Sequence, residues 1–213
     1  MNVAVKICGL NDAGSVAAAV AGGAALVGFV FFPASPRYVE PETAARLGAN
    51  VPKSILKVGL VVDADDATLA RVVERAGIDM LQLHGAETPA RAADIRARFG
   101  LPVMKAILVE TALDVDKARA FESVADRLMF DARPPKDATR PGGNARPFDW
   151  TLLKGRAFAR PWLLAGGLTA ANVAEAVRAS GARAVDVSSG VETAPGQKSP
   201  AKIAEFLRIA KAL

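Results

Sequence analysis

One cysteine and one histidine stand among 213 residues, and these two scarcities exclude much. A single cysteine cannot close an intramolecular disulfide or build a Cys-rich metal site, and it fits a reducing compartment. A single histidine leaves no His-based zinc site. Aromatic residues make up only 6% of the chain, and its lysines and arginines are scattered, so the net charge of +5 reads as a basic surface. That surface suits an anionic small molecule better than a nucleic acid. No apolar run approaches the ~18–20 residues of a membrane helix. The start, MNVAVKICGL, lacks the basic stretch and apolar core of a signal peptide, so the cytosol is the expected location. No Gly-x-Gly-x-x-Gly follows the first strand and no Gly-Lys-Ser/Thr loop occurs, so neither a dinucleotide nor a nucleoside triphosphate is implied.

What is present is a rhythm. Short apolar, often β-branched runs recur at Val3–Cys8, Leu26–Phe32, Ile55–Val62, Met80–His84, Val103–Val109, Arg127–Asp131, Trp162–Ala165 and Ala184–Ser188. They lie about one strand plus one helix apart. Helical spacing is clearest over Asp65–Ala76, over Thr169–Ser180, and after Ser199-Pro200, an N-cap followed by proline. Segments after Cys8, Pro41, Thr88 and Asp114 are weaker helices, and the one after Asp149 is short. Such alternation calls for a parallel sheet with helices outside it, in one domain spanning residues 1–213.

The choice between an open sheet and a closed barrel rests on polarity. Side chains on a strand alternate faces, so Val3, Val5 and Ile7 oppose Ala4, Lys6 and Cys8. Gln82 and His84 likewise oppose Leu81 and Leu83, and Asp186 and Ser188 oppose Val185 and Val187. A doubly covered open sheet is apolar on both faces. One polar face, concentrated at C-terminal strand ends, fits a (β/α)₈ barrel whose mouth is a site.

That rule gathers Cys8, His84, Asp131, Asp186 and Ser188 around one opening. Cys8 is either a small buried residue or a base whose thiolate Lys6 favours. Closure makes strand eight a neighbour of strand one, so Asp186 is the candidate partner of Lys6, as an ion pair or through substrate. Asp131 is a general acid or a turn aspartate, and His84 lines the mouth or moves protons. Gly166 and Gly167 end strand seven, while Ser188, Ser189 and Gly190 end strand eight. Glycines at these two ordinal positions let backbone N–H groups approach a phosphate. The stretch Ala132–Arg146, rich in Pro, Gly, Arg and Lys, reads as a long loop at the functional face or as a tolerated insertion.

Taken in order, VKICGL, GFVFFPASPRYV, VGLVV, LQLHG, VMKAI, LMFDA, PGG before FDW, LLAGGL and AVDVSSGVE resemble the phosphoribosylanthranilate isomerases of tryptophan biosynthesis over essentially the full length. The resemblance implies a barrel without a cofactor that performs an Amadori rearrangement on a phosphorylated substrate, as a monomer or homodimer. It implies Cys8 as general base, Asp131 as general acid, and Arg37 on the anthranilate carboxylate. Asp186 would touch the sugar hydroxyls, with Gly167, Ser189 and Gly190 on the phosphate. Two departures stand out. The loop reads PGGNARPFDW where the family has PGGTG, with Asn144 and Ala145 changed, and Ser199 replaces an aspartate. The first bears on loop closure; the second keeps a helix cap. A related histidine-pathway isomerase would carry an aspartate in place of Cys8. A bifunctional enzyme and a non-catalytic phosphate- or nucleic-acid-binding barrel are the other readings.

Overall fold

The computed structural model describes residues 3–134 and 147–213. Most of the stretch expected as a long loop, including Asn144 and Ala145, lies outside the described residues. Eight parallel strands close into a barrel in chain order. They are β1 (Ala4–Cys8), β2 (Leu26–Val30), β3 (Leu56–Val61), β4 (Met80–Leu83), β5 (Val103–Val109), β6 (Arg127–Ala132), β7 (Trp162–Leu164) and β8 (Ala184–Val187). Each overlaps an apolar run read from the sequence, and most are a residue or two shorter. Closure is direct: β1 pairs with β8, Lys6 opposite Asp186.

Two apolar cores follow from the alternation. Val3, Val5 and Ile7 join the larger one, between strands and helices. Leu26, Val58, Met80, Met104, Ala106, Met129, Leu163 and Ala165 fill the barrel itself. No helix among the described residues is long and apolar enough to cross a membrane.

The helices are α1 (Ala13–Ala21), α2 (Pro41–Gly48), α3 (Asp66–Arg75), α4 (Pro89–Phe99), α5 (Ala112–Asp116), α6 (Val173–Ser180) and α7 (Pro200–Lys211). Caps fix their starts: Asp65 accepts the N–H of Thr68, and Ser199 that of Lys202 ahead of Pro200. Three expectations need correction. Helix α5 begins before Asp114, because the Asp114 carboxylate accepts the Glu110 and Thr111 N–H groups from inside the first turn. Helix α6 starts at Val173 and not at Thr169. Asn172 Oδ1 accepts the Thr169 N–H at 2.8 Å and its amide donates to the Gly167 carbonyl at 3.0 Å, a turn that competes with helix. After Asp149 there is only a 3₁₀ turn, Trp150–Leu153, so no eighth α-helix occurs among the described residues.

An antiparallel hairpin of β9 (Glu192–Ala194) and β10 (Gln197–Lys198), absent from the sequence reading, follows β8. Its turn is fastened to the barrel mouth, since Asn11 Nδ2 donates to the Gly196 carbonyl at 2.8 Å.

Candidate active site

The mouth holds two polar clusters, one on β1 and β8 and one on β4 and β6. In the first, Lys6 is fully buried inside the barrel and donates to Asp186 Oδ1 at 2.9 Å. Gly28, opposite Cys8 on β2, makes room, because a Cβ there would lie 3.0 Å from Lys6 Nζ. Burial works against the lysine's charge, but Asp186 and Cys8 outweigh it and hold the ammonium above its ordinary value. Cys8 ends the strand at 4% exposure. Burial pushes its thiol up, and Lys6 only partly offsets this because the Asp186 carboxylate opposes it. Lys6 lowers the thiol as expected, but burial together with Asp186 outweighs it in the free protein.

Gly9, the residue after Cys8, lets Arg37 pack against the end of β1. With φ of +75° it needs no Cβ, and the Arg37 side chain lies where one would be, its Cδ 2.6 Å from that point. The guanidinium already forms a fork with a carboxylate that the sequence did not reveal. Nε donates to Glu192 Oε1 at 2.7 Å and one Nη to Oε2 at 2.8 Å. Lys198 donates to Glu192 Oε1 at 2.8 Å and to the Ser188 carbonyl at 2.9 Å. Burial pushes the Glu192 carboxyl up, yet the bonds from Arg37 and Lys198 more than reverse this and leave it lowered. The Ser188 hydroxyl is itself held, accepting from Lys198 at 3.2 Å.

In the second cluster, Asp131 points inward from β6 at 7% exposure. Its Oδ1 accepts the Ala132 N–H at 2.8 Å and its Oδ2 lies 3.1 Å from His84 Nε2. Gly166, expected near a phosphate, packs against Asp131 on one side: a Cβ there would come within 3.1 Å of Oδ1 and 2.7 Å of the Ala132 nitrogen. Gly167, Ser189 and Gly190 are half-buried at the rim. A Cβ on Gly190 would collide with the Leu168 carbonyl, so the turns after β7 and β8 lie against each other. Among the described residues no three His, Cys, Asp or Glu side chains are placed to hold a metal.

A buried thiol and a histidine-paired carboxyl on two sides of one barrel mouth coincide with a match to the profile for N-(5'-phosphoribosyl)anthranilate (PRA) isomerase over residues 5–208. The chain belongs to the phosphoribosylanthranilate isomerase family. It is 58% identical over 212 residues to the N-(5'-phosphoribosyl)anthranilate isomerase of Paracoccus denitrificans, covering 100% of this chain and 99% of that one. The phosphoribosyl anthranilate isomerase of Thermotoga maritima superposes with a TM-score of 0.88 at 35% identity, over 99% of this chain and 100% of the other. A phosphoribosyl anthranilate isomerase structure solved in complex with reduced 1-(o-carboxyphenylamino)-1-deoxyribulose 5-phosphate gives 0.85 at 34% identity, over 99% and 100%.

The barrel thus presents Cys8, His84, Asp131 and Asp186 at or near the C-terminal ends of its strands. Sequence reasoning missed Gln82 as a partner of His84, and it missed Glu192 and Lys198. The parity of Gln82 with His84 was a usable signal. Glu192 lies beyond the last barrel strand, in the short β9–β10 hairpin, where the barrel's alternation no longer assigns a face.

Proposed function

We propose that this chain isomerises N-(5'-phosphoribosyl)anthranilate to 1-(2-carboxyphenylamino)-1-deoxyribulose 5-phosphate. The observation that carries the reading is the pair of inward groups, Cys8 at the end of β1 and Asp131 at the end of β6, which share one mouth of a closed barrel. Acid and base can thus approach a ribose from different sides.

Asp131 gives its proton to the ring oxygen as the C1–O bond breaks, and the aryl nitrogen lone pair forms the C1=N iminium. The Cys8 thiolate removes the proton on C2, whose electrons make the C1=C2 bond and return the iminium pair to nitrogen. The enaminol then takes a proton at C1 and loses the one on its C2 hydroxyl, giving the ketone. Although burial disfavours the Cys8 thiolate, a cationic iminium beside the sulfur offsets that in the complex. Arg37 meets the anthranilate carboxylate with N–H groups outside its fork to Glu192, which occupies two of the five a guanidinium carries. Asp186 accepts from the sugar hydroxyls while holding Lys6, and backbone N–H groups at Gly167, Ser189 and Gly190 receive the phosphate. Gly166 and Ser188 belong to the same two turns and join in holding the substrate there, and His84 lines the mouth beside Asp131.

Cys8→Ala and Asp131→Ala each keep affinity for the reduced product analogue within a few-fold and lose about 100-fold or more in kcat. Isothermal titration and steady-state kinetics read the two quantities. Wild-type turnover in either variant overturns that residue's assignment.

A further inference from the structure

Gln82 sits in the middle of β4, fully buried, with its side chain inside the barrel. The barrel filling around it includes Met104 and Met129. Its amide nitrogen lies 3.4 Å from Met129 Sδ and 2.9 Å from His84 Nδ1. Its Oε1 has no hydrogen-bond partner among the described residues. A thioether sulfur accepts and never donates, so the amide group facing Met129 is the NH₂. The same NH₂ faces Nδ1 of the imidazole, and that nitrogen must therefore present its lone pair. A neutral imidazole then carries its hydrogen on Nε2, which points at Asp131 Oδ2, 3.1 Å away.

We infer that Gln82 is a positioning residue that holds His84 as the Nε2–H tautomer, so that an N–H is already aimed at the Asp131 carboxylate. The inference rests on the reading of Asp131 as the general acid. When Asp131 gives up its proton, the carboxylate left behind meets two ready donors, the Ala132 N–H on Oδ1 and the His84 N–H on Oδ2. No reorganisation is needed at that moment, which is how fixed donors lower a barrier. With the opposite tautomer the imidazole lone pair would face that carboxylate and repel it. The orphaned Gln82 Oε1 is the structural cost of this arrangement, because a buried unpaired acceptor destabilises a fold.

His84 is the lone histidine of the chain, so its ring gives one set of nitrogen resonances. Long-range ¹H–¹⁵N correlation on protein labelled at histidine, at a pH where the ring is neutral, reports which nitrogen carries the proton. The wild type shows Nε2 protonated and Nδ1 bare. Gln82→Met, close in volume and free of the orphaned oxygen, gives a mixture of tautomers and a melting temperature equal to or above wild type. Its kcat falls about ten-fold or more with KM within two-fold, the expected signature of a lost transition-state donor. A wild-type spectrum with Nδ1 protonated overturns the inference. So does a Gln82→Met variant that keeps both the tautomer and the turnover, or one that loses turnover with the tautomer unchanged. The assignment beneath it fails separately: wild-type turnover in Asp131→Ala removes the acid role while the spectrum still reports on Gln82 and His84.

Discussion

At Cys8 the sign of one shift decides how the protein responds to pH. A buried thiol next to a lysine is commonly read as a thiolate, but here Asp186 already engages that lysine at 2.9 Å. Burial therefore prevails and the thiol sits above its ordinary value. The free protein then holds Cys8 as the thiol at neutral pH, and the base form grows as the pH rises past the usual thiol value of about 8.5. The expected outcome is a kcat/KM that climbs through that range, together with a 240 nm thiolate absorbance appearing there and absent in Cys8→Ser. A thiolate titrating below pH 7 contradicts this. The Lys6–Asp186 pair was legible beforehand, because strand parity puts both residues inside and closure makes β1 and β8 neighbours. The direction of the Cys8 shift was not. It depends on how completely the surrounding helices and loops exclude water, and no local pattern encodes that.

Strand β5 shows what an element contributes from its outer face. Lys105 points away from the barrel and spans the end of β4, donating to the Gly85 carbonyl at 2.7 Å and to Glu87 Oε2 at 2.8 Å. Glu87 in turn accepts the Asp63 N–H at 2.9 Å, tying β3, β4 and β5 together just behind His84. Both side chains are almost fully buried. Lys105→Met leaves Glu87 without its cation and is expected to cost about 3–5 kcal/mol of unfolding free energy, measured by urea denaturation. Adding Glu87→Gln should recover much of that, and a single-variant loss below about 1 kcal/mol would mean the pair supports nothing. The strands and the capped helices α3 and α7 were readable because period and cap agree there. The turn held by Asn172 and the β9–β10 hairpin were not. Side-chain bonds to neighbouring backbone shape the first, and long-range contacts from Asn11 and Arg37 hold the second.

On the scale of the whole molecule the barrel is one ring whose seams are unequal. Strands β5 and β6 pair over six positions, whereas β7 and β8 pair only through Leu164 and Val185. The short seam lies beneath the packed turns of Gly167 and Gly190, where the phosphate is proposed to bind. The ring closure that brings Lys6 to Asp186 also sets Cys8 on the same rim as Asp131, and the whole functional reading depends on that placement. Following the fluorescence of N-(5'-phosphoribosyl)anthranilate with wild type and Cys8→Ser tests it most directly. The account predicts rapid decay with the wild type and loss of nearly all enzymatic decay with Cys8→Ser, while both retain the same fold by circular dichroism. Equal decay rates in the two proteins, or none above background in the wild type, would contradict it.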